Sequence, residues 1–153
     1  MKIKERIIAT IQEAIPDLIL LNDPYTVITA AGMILTDIPI QNTDDIDILV
    51  SVRDELLLQQ IWSKRLIKNF QTHNDHLFKS CIHRYHFNLI DIEVMANLKV
   101  QKPEGWIPVE VNESLQVQIN KDFAITVPTK KEQKRLLLLF GRDKDLRRLI
   151  LFK

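Results

Sequence analysis

From Asp45 to Val50 the chain alternates strictly between polar and apolar residues. Asp45 and Asp47 fall on one parity, Ile46, Ile48 and Val50 on the other. A period of two is that of a β-strand, whose successive side chains point to opposite faces. The segment therefore predicts a strand with one buried face and two carboxylates side by side on the other. At a rise of ~3.3 Å per residue the two aspartates stand about 6.6 Å apart along the strand, so their oxygens can converge on one small cation. Two carboxylates held that close repel, and a divalent ion between them offsets the repulsion. The same alternation also fits a half-exposed strand with a solvated acidic face.

The remaining elements follow from the same reading. Ile3, Ile7, Ile8, Ile11 and Ile15 make one face of a helix from Met1 to about Ile15, ended by Pro16 or by Asn22-Asp23-Pro24. Tyr25 to Thr29 reads as a short buried strand, and Ala30-Ala31-Gly32 as a small-residue junction before Met33-Ile34-Leu35. Small residues at such a junction let backbone amides approach a ligand closely. Pro39 to Asn42 is a loop. Val52 to Phe70 is predicted helical, capped by Asp54, with Leu57, Ile61, Trp62, Leu66 and Phe70 as its apolar stripe. His73 to Lys79 has no clear period.

Cys81 to Asn88 and Leu89 to Leu98 read as two strands of a hairpin turning near Asn88. In the second, Asp91 and Glu93 again share a parity, against Ile90, Ile92 and Val94. Pro103-Glu104-Gly105 is a turn, and Val109 to Val127 alternates weakly, as two short strands would. Thr129 caps a helix over Lys130 to Phe140 with Leu136 to Leu139 inward. Gly141 breaks it, and Asp143 to Phe152 forms a last short helix. The resulting class is α/β (α+β): a mixed sheet flanked by helices, with helices at the C-terminus.

Composition narrows the function. At 153 residues, 46% hydrophobic and 27% charged, the chain has the make-up of one globular domain, residues 1–153. A net charge of +1 gives no global case for nucleic acid or an anionic membrane. The single cysteine, Cys81, rules out an internal disulfide and reads as a small core residue. With no apolar signal segment at the N-terminus and no run of 18 apolar residues, the expectation is a cytoplasmic protein without a membrane partner.

With these residues in view, the chain resembles the nucleotidyltransferase superfamily, the polymerase-β-like fold, and in particular small stand-alone bacterial members and AbiEii-type toxins. That pattern is a small-residue pair opening a helix, then a strand bearing Asp-hydrophobic-Asp, then a third carboxylate on a later strand. Ala31-Gly32 falls at the small pair, Asp45 and Asp47 at the aspartates, and Asp91 or Glu93 at the third acid. Ile92-Glu93-Val94-Met95 is similar to the family's later strand, which selects Glu93. Pro128 through Asp145 is similar to its C-terminal helices, so the likeness spans roughly residues 25 to 150, with a core at about 25–100 and a helical part at about 129–153.

The resemblance implies transfer of an NMP from a nucleoside triphosphate to a hydroxyl of a small molecule, a protein or an RNA. Mg²⁺ or Mn²⁺ is the implied cofactor, because divalent cations neutralise the charge of phosphoryl chemistry and take carboxylate oxygens. Asp45, Asp47 and Glu93 are the implied catalytic and metal-binding residues, with Asp91 a further metal candidate. Ala31, Gly32, Thr43, Arg142 and Lys144 are the implied nucleotide contacts. Three positions depart from the pattern: Ala31-Gly32 replaces Gly-Gly or Gly-Ser, Gln41 stands where many relatives carry arginine, and Asp44 adds a charge. The alternative they leave open is a degenerate copy of the fold that serves as a binding or regulatory module.

Two further groupings of charged residues stand out in the chain. His73, His76, His83 and His86 have no second cysteine or acidic partner at zinc-site spacing, and His83 and His86 point to opposite faces of a strand. Lys130-Lys131, Lys134-Arg135 and Arg147-Arg148 make the C-terminal third basic, as either a solvated helix face or a patch for nucleotide or RNA.

Overall fold

Four strands in the order β1-β2-β4-β3 form the sheet on which everything else is built, in a computed structural model that describes residues 1–71 and 76–152. β1 (Thr26–Ile28) pairs antiparallel with β2 (Asp45–Val50), and β2 runs parallel to β4 (Asp91–Lys102). β3 (Phe78–Tyr85) returns antiparallel along the other side of β4, as the hairpin reading expects. β5 (Gly105–Pro108), which the sequence reading did not anticipate, pairs with the far end of β4 beyond the end of β2. The turn before it is the expected one, with Gly105 at φ +119°. β6 (Ser114–Gln118) and β7 (Ala124–Pro128) are the two short strands expected before the last helices, and they pair with each other in a second sheet.

One face of the large sheet is covered by α1 (Ile3–Leu18) and α3 (Val52–Ile61). Ile7, Ile11, Ala14 and Leu18 recur every three to four residues on α1 and are buried against Ile46, Ile48 and Val50 of β2 and Ile92, Val94 and Ala96 of β4. Pro16 does not stop α1, which runs to Leu18. Trp62 fills the junction of α1, α3 and the sheet, stacking edge-on to Tyr85 and Phe87 and donating its indole N–H to Asp17 at 2.7 Å.

The other face packs against a helix at its distal half. At Asn97, φ +57°, β4 carries one more residue than β3 between the pairs Cys81↔Ala96 and Lys79↔Lys99. Such a bulge turns the strand over. Beyond it Leu98 and Val100 face the side where Ile28 and Met95 meet Leu136 and Phe140 of α4 (Lys130–Phe140). On the proximal half of that face the polar parity, Asp45, Asp47 and Glu93, lines a cleft. α5 (Asp143–Leu149) follows α4 after Gly141, whose left-handed φ of +66° closes α4.

Several boundaries differ from expectation. α2 (Thr29–Leu35) begins directly after β1, so Ala30, Ala31 and Gly32 lie inside a helix and not in a loop. α3 stops at Ile61; a 3₁₀ turn, Ser63–Arg65, follows, and Leu66 bridges to Tyr85. Ser51 caps α3, accepting from the Asp54 N–H at 3.2 Å. Buried Asp54 instead accepts from the backbone of Asn22 and Asp23, at 2.8 Å each, and ties down the loop after α1. Thr129 caps α4 as expected, but Leu138 on that helix points to solvent while Leu136 and Leu137 are buried. α5 ends three residues short of Phe152. Cys81 is exposed on the edge strand and not in the core. No helix among the described residues is long and apolar enough to cross a membrane.

Candidate active site

Parallel pairing of β2 with β4 places Asp45 beside Asp91 and Asp47 beside Glu93, all on the open face. One oxygen each of Asp45, Asp47 and Glu93 comes within 4.8 Å of the others. Asp91 is on the same parity but outside that trio, held by the Arg84 guanidinium at 2.9 Å and facing His86 Nδ1 at 3.3 Å. The three clustered acids lie along a cleft of about 720 Å³.

Burial and mutual repulsion change how these acids titrate. Desolvation, followed by the charge of Asp47, pushes Asp45 up to about 6. Desolvation, followed by the charges of Asp47 and Asp45, pushes Glu93 up to about 9. Even with Arg84 beside it, the cluster therefore keeps a proton at neutral pH. Asp47 receives the Thr29 hydroxyl on Oδ2, at 2.5 Å, while its Oδ1 is buried with no hydrogen-bond partner. A buried carboxylate oxygen left unpaired is costly unless something else binds there. An oxygen-only donor set with one orphaned oxygen suits a hard divalent cation such as Mg²⁺ or Mn²⁺. It suits zinc less, because nitrogen and sulfur ligands are missing from the group.

Two residues at this site were not singled out from the sequence. Arg84 on β3 stands directly across from Glu93. Its Nη1 lies 2.9 Å from Glu93 Oε1 and 3.3 Å from Asp45 Oδ2, its Nε 2.9 Å from Asp91 Oδ2, and its Nη2 3.3 Å from the Asp44 carbonyl. The signal was present: a hairpin centred between Asn88 and Leu89 pairs residue 84 with residue 93. Thr29, the other, has φ +58°, a left-handed backbone that a β-branched residue seldom adopts. That geometry aims its hydroxyl at Asp47.

The other expected site residues are distributed as follows. Thr43 borders the cleft and donates to the Asp45 carbonyl at 3.1 Å. Ala31 and Gly32 are buried within α2 and do not line the cleft; Thr29 and Ala30 do. A Cβ on Gly32 would come within 2.8 Å of the Val27 carbonyl, so this glycine serves the close packing of α2 on β1. Arg142, Lys144 and Arg148 all border the cleft. Arg142 is fixed by Asp145 (Nε–Oδ2 2.6 Å, Nη2–Oδ1 3.0 Å) and lies over the Phe78 ring. Burial, then the charges of Arg142 and Arg148, lowers the Lys144 ammonium. Among the described residues, Lys144 and Arg148 have no carboxylate partner. His83 pairs with buried Glu55 of α3 at 2.6 Å while His86 faces Asp91, so these two share no ion. His73 lies outside the described residues.

No protein-family model and no curated protein matches the sequence. Two solved structures are similar in shape. One, a protein of Thermotoga maritima provisionally named a nucleotidyltransferase, superposes with a TM-score of 0.76 at 19% identity, over 96% of this chain and 92% of that one. An antigenic nucleotidyltransferase-like protein from Paracoccidioides brasiliensis matches more loosely, with a TM-score of 0.48 at 14% identity, over 99% of this chain and 75% of that one. With its mixed sheet, flanking helices and paired acidic strands, the chain adopts the nucleotidyltransferase fold.

Proposed function

We propose that the protein is a metal-dependent nucleotidyltransferase that transfers an NMP from a nucleoside triphosphate to a hydroxyl acceptor. One observation carries the reading: Asp45, Asp47 and Glu93 converge within 4.8 Å on one side of a cleft that Lys144 and Arg148 border as well. The acids would hold the divalent cation. Bound there, it would supply charge neutralisation to the triphosphate and to the developing pyrophosphate.

The protein's own groups do the rest. Among the described residues Lys144 and Arg148 have no carboxylate partner, and they are the groups to take the triphosphate tail, with Arg142 as a fixed member of the same wall. Thr29 holds Asp47 by its Oδ2 and leaves Oδ1 without a protein partner. Thr43 braces the start of β2 through the Asp45 carbonyl. Glu93, the third acid, would complete the ligands of the cation or receive the proton leaving the attacking hydroxyl. Phe70, Phe78 and Ile82 give the cleft an apolar part on which a base or an acceptor can rest.

A non-catalytic binding module is the second reading, and Arg84 favours it: a guanidinium already partly neutralises the acids. Calorimetric titration with the four nucleoside triphosphates, with Mn²⁺ and without, tests the first reading. Metal-dependent binding together with pyrophosphate release on adding a hydroxyl acceptor supports it. Triphosphate binding that is indifferent to metal supports the module instead.

A further inference from the structure

Arg84 contacts two of the three clustered acids but not the third. Nη1 lies between Glu93 Oε1 and Asp45 Oδ2, while Nε is anchored on Asp91, outside the cluster. The Arg84 side chain is only 20% exposed and that of Glu93 12%, so this pairing is not a loose surface contact. Asp47 gains nothing from it: its Oδ1 stays buried without a partner. A planar group tethered to β3 brings one positive charge to three carboxylates and cannot reach the last. A small divalent ion brings two charges and can take an oxygen from each.

We propose that Arg84 is the resident cation of the acidic cluster in the metal-free protein, displaced at its Nη end when a divalent ion enters and retained at its Nε end by Asp91. This rests on the reading of the cluster as a metal site. It assigns Asp91 a task distinct from ligation: it is the post on which Arg84 stays while its other end gives way. Arg84 then opposes metal binding by occupying the ground between Asp45 and Glu93 and by its charge. In exchange it spares the empty site the full repulsion of its acids.

The test is Mn²⁺ titration by calorimetry, without nucleotide, on the wild-type protein and on Arg84→Gln. The variant should bind Mn²⁺ about tenfold tighter or more, since a charge a few ångströms away opposes the ion. It should also melt lower than wild type when metal-free and gain more from saturating Mn²⁺. Arg84→Lys keeps the charge but reaches a single carboxylate, so its affinity should fall between the two. Wild-type protein alone gives a third readout: with Mg²⁺, the arginine side-chain NMR signals of Nη should lose exchange protection while that of Nε persists. Equal or weaker Mn²⁺ binding by Arg84→Gln, with wild type binding normally, overturns the displacement and leaves the metal site standing. Unchanged Nη protection on saturation with Mg²⁺ overturns it as well. Absence of Mn²⁺ binding in both proteins overturns the inference together with the metal site itself.

Discussion

At the scale of single residues, the raised pKa values of Asp45 and Glu93 set a pH dependence whose sign can be worked out. A carboxyl whose folded pKa exceeds its unfolded one binds more protons when folded, so stability falls as pH rises between the two values. For Glu93 that contribution is present in full below the usual 4.5 and is lost as pH approaches about 9; for Asp45 the window runs from 3.8 to about 6. The metal-free protein should therefore lose melting temperature as pH rises across this range, and saturating Mg²⁺ should flatten the slope. A melting curve that climbs with pH under metal-free conditions contradicts the assignment. The same residues order the expected losses of activity. Asp47→Asn removes an orphaned charge and should cost about 10²-fold or more in turnover while leaving the metal-free fold as stable or slightly more so. Glu93→Gln should abolish transfer, whereas Asp91→Asn, which loosens Arg84 but removes no member of the cluster, should cost less than about tenfold. Steady-state kinetics of the three variants check the order.

At the scale of elements, the junction of β1 and α2 is the tightest constraint near the site. Gly32 sits in the helix where alanine would add about 1 kcal/mol of helix propensity. The new Cβ would meet the Val27 carbonyl at 2.8 Å, and a backbone atom of a paired strand cannot swing aside. Overpacking of this kind costs about 1–3 kcal/mol, so the clash wins over the propensity. Gly32→Ala should lower the denaturant midpoint, and because α2 carries Thr29 at its start it should weaken Mn²⁺ binding too. The bulge at Asn97 acts at the same scale. It lets one strand bury Ile92, Val94 and Ala96 against α1 and α3, then Leu98 and Val100 against α4. That switch brings α4, and with it Arg142 and Lys144, to the end of the acidic face.

At the scale of the whole molecule, the cleft joins parts far apart in sequence: acids from β2 and β4, Thr29 from the start of α2, and cations from the C-terminal helix. Lys144→Ala and Arg148→Ala should weaken binding of a nucleoside triphosphate by about tenfold or more, with little effect on the monophosphate, because charge contacts with the tail are lost. Titration of both ligands against each variant decides this; equal losses for triphosphate and monophosphate place the tail elsewhere. A ligand bound only by the folded form should also raise stability, by about 2.7 kcal/mol at a hundred times its Kd. The melting temperature with triphosphate and Mn²⁺ together should exceed that with either alone.

Elements whose signal is local are legible in the chain alone. The alternation at Asp45–Val50 fixed β2 and its acidic face; Thr129 and Gly141 fixed both ends of α4; the hairpin and the late pair of strands followed from period and turn residues. Local signals failed where packing decides. The apolar stripe beyond Ile61 continues in helical spacing, but Trp62 is taken up by Tyr85 and Phe87, and the chain leaves the helix there to let Leu66 meet the sheet edge. Ala31 and Gly32 look like a ligand loop because small residues suit both a loop and a close helix crossing, and only contact with Val27 distinguishes the two. The candidate site divides the same way. That Asp45 and Asp47 share a face is a property of one strand. That Glu93 joins them, that Asp91 is drawn off by Arg84, and that an arginine reaches the acids at all depends on the parallel register of β2 on β4 and the antiparallel register of β3. The register of β3 on β4 is local to one hairpin and follows from its turn, whereas that of β2 on β4 is set by long-range pairing, which no window of sequence contains.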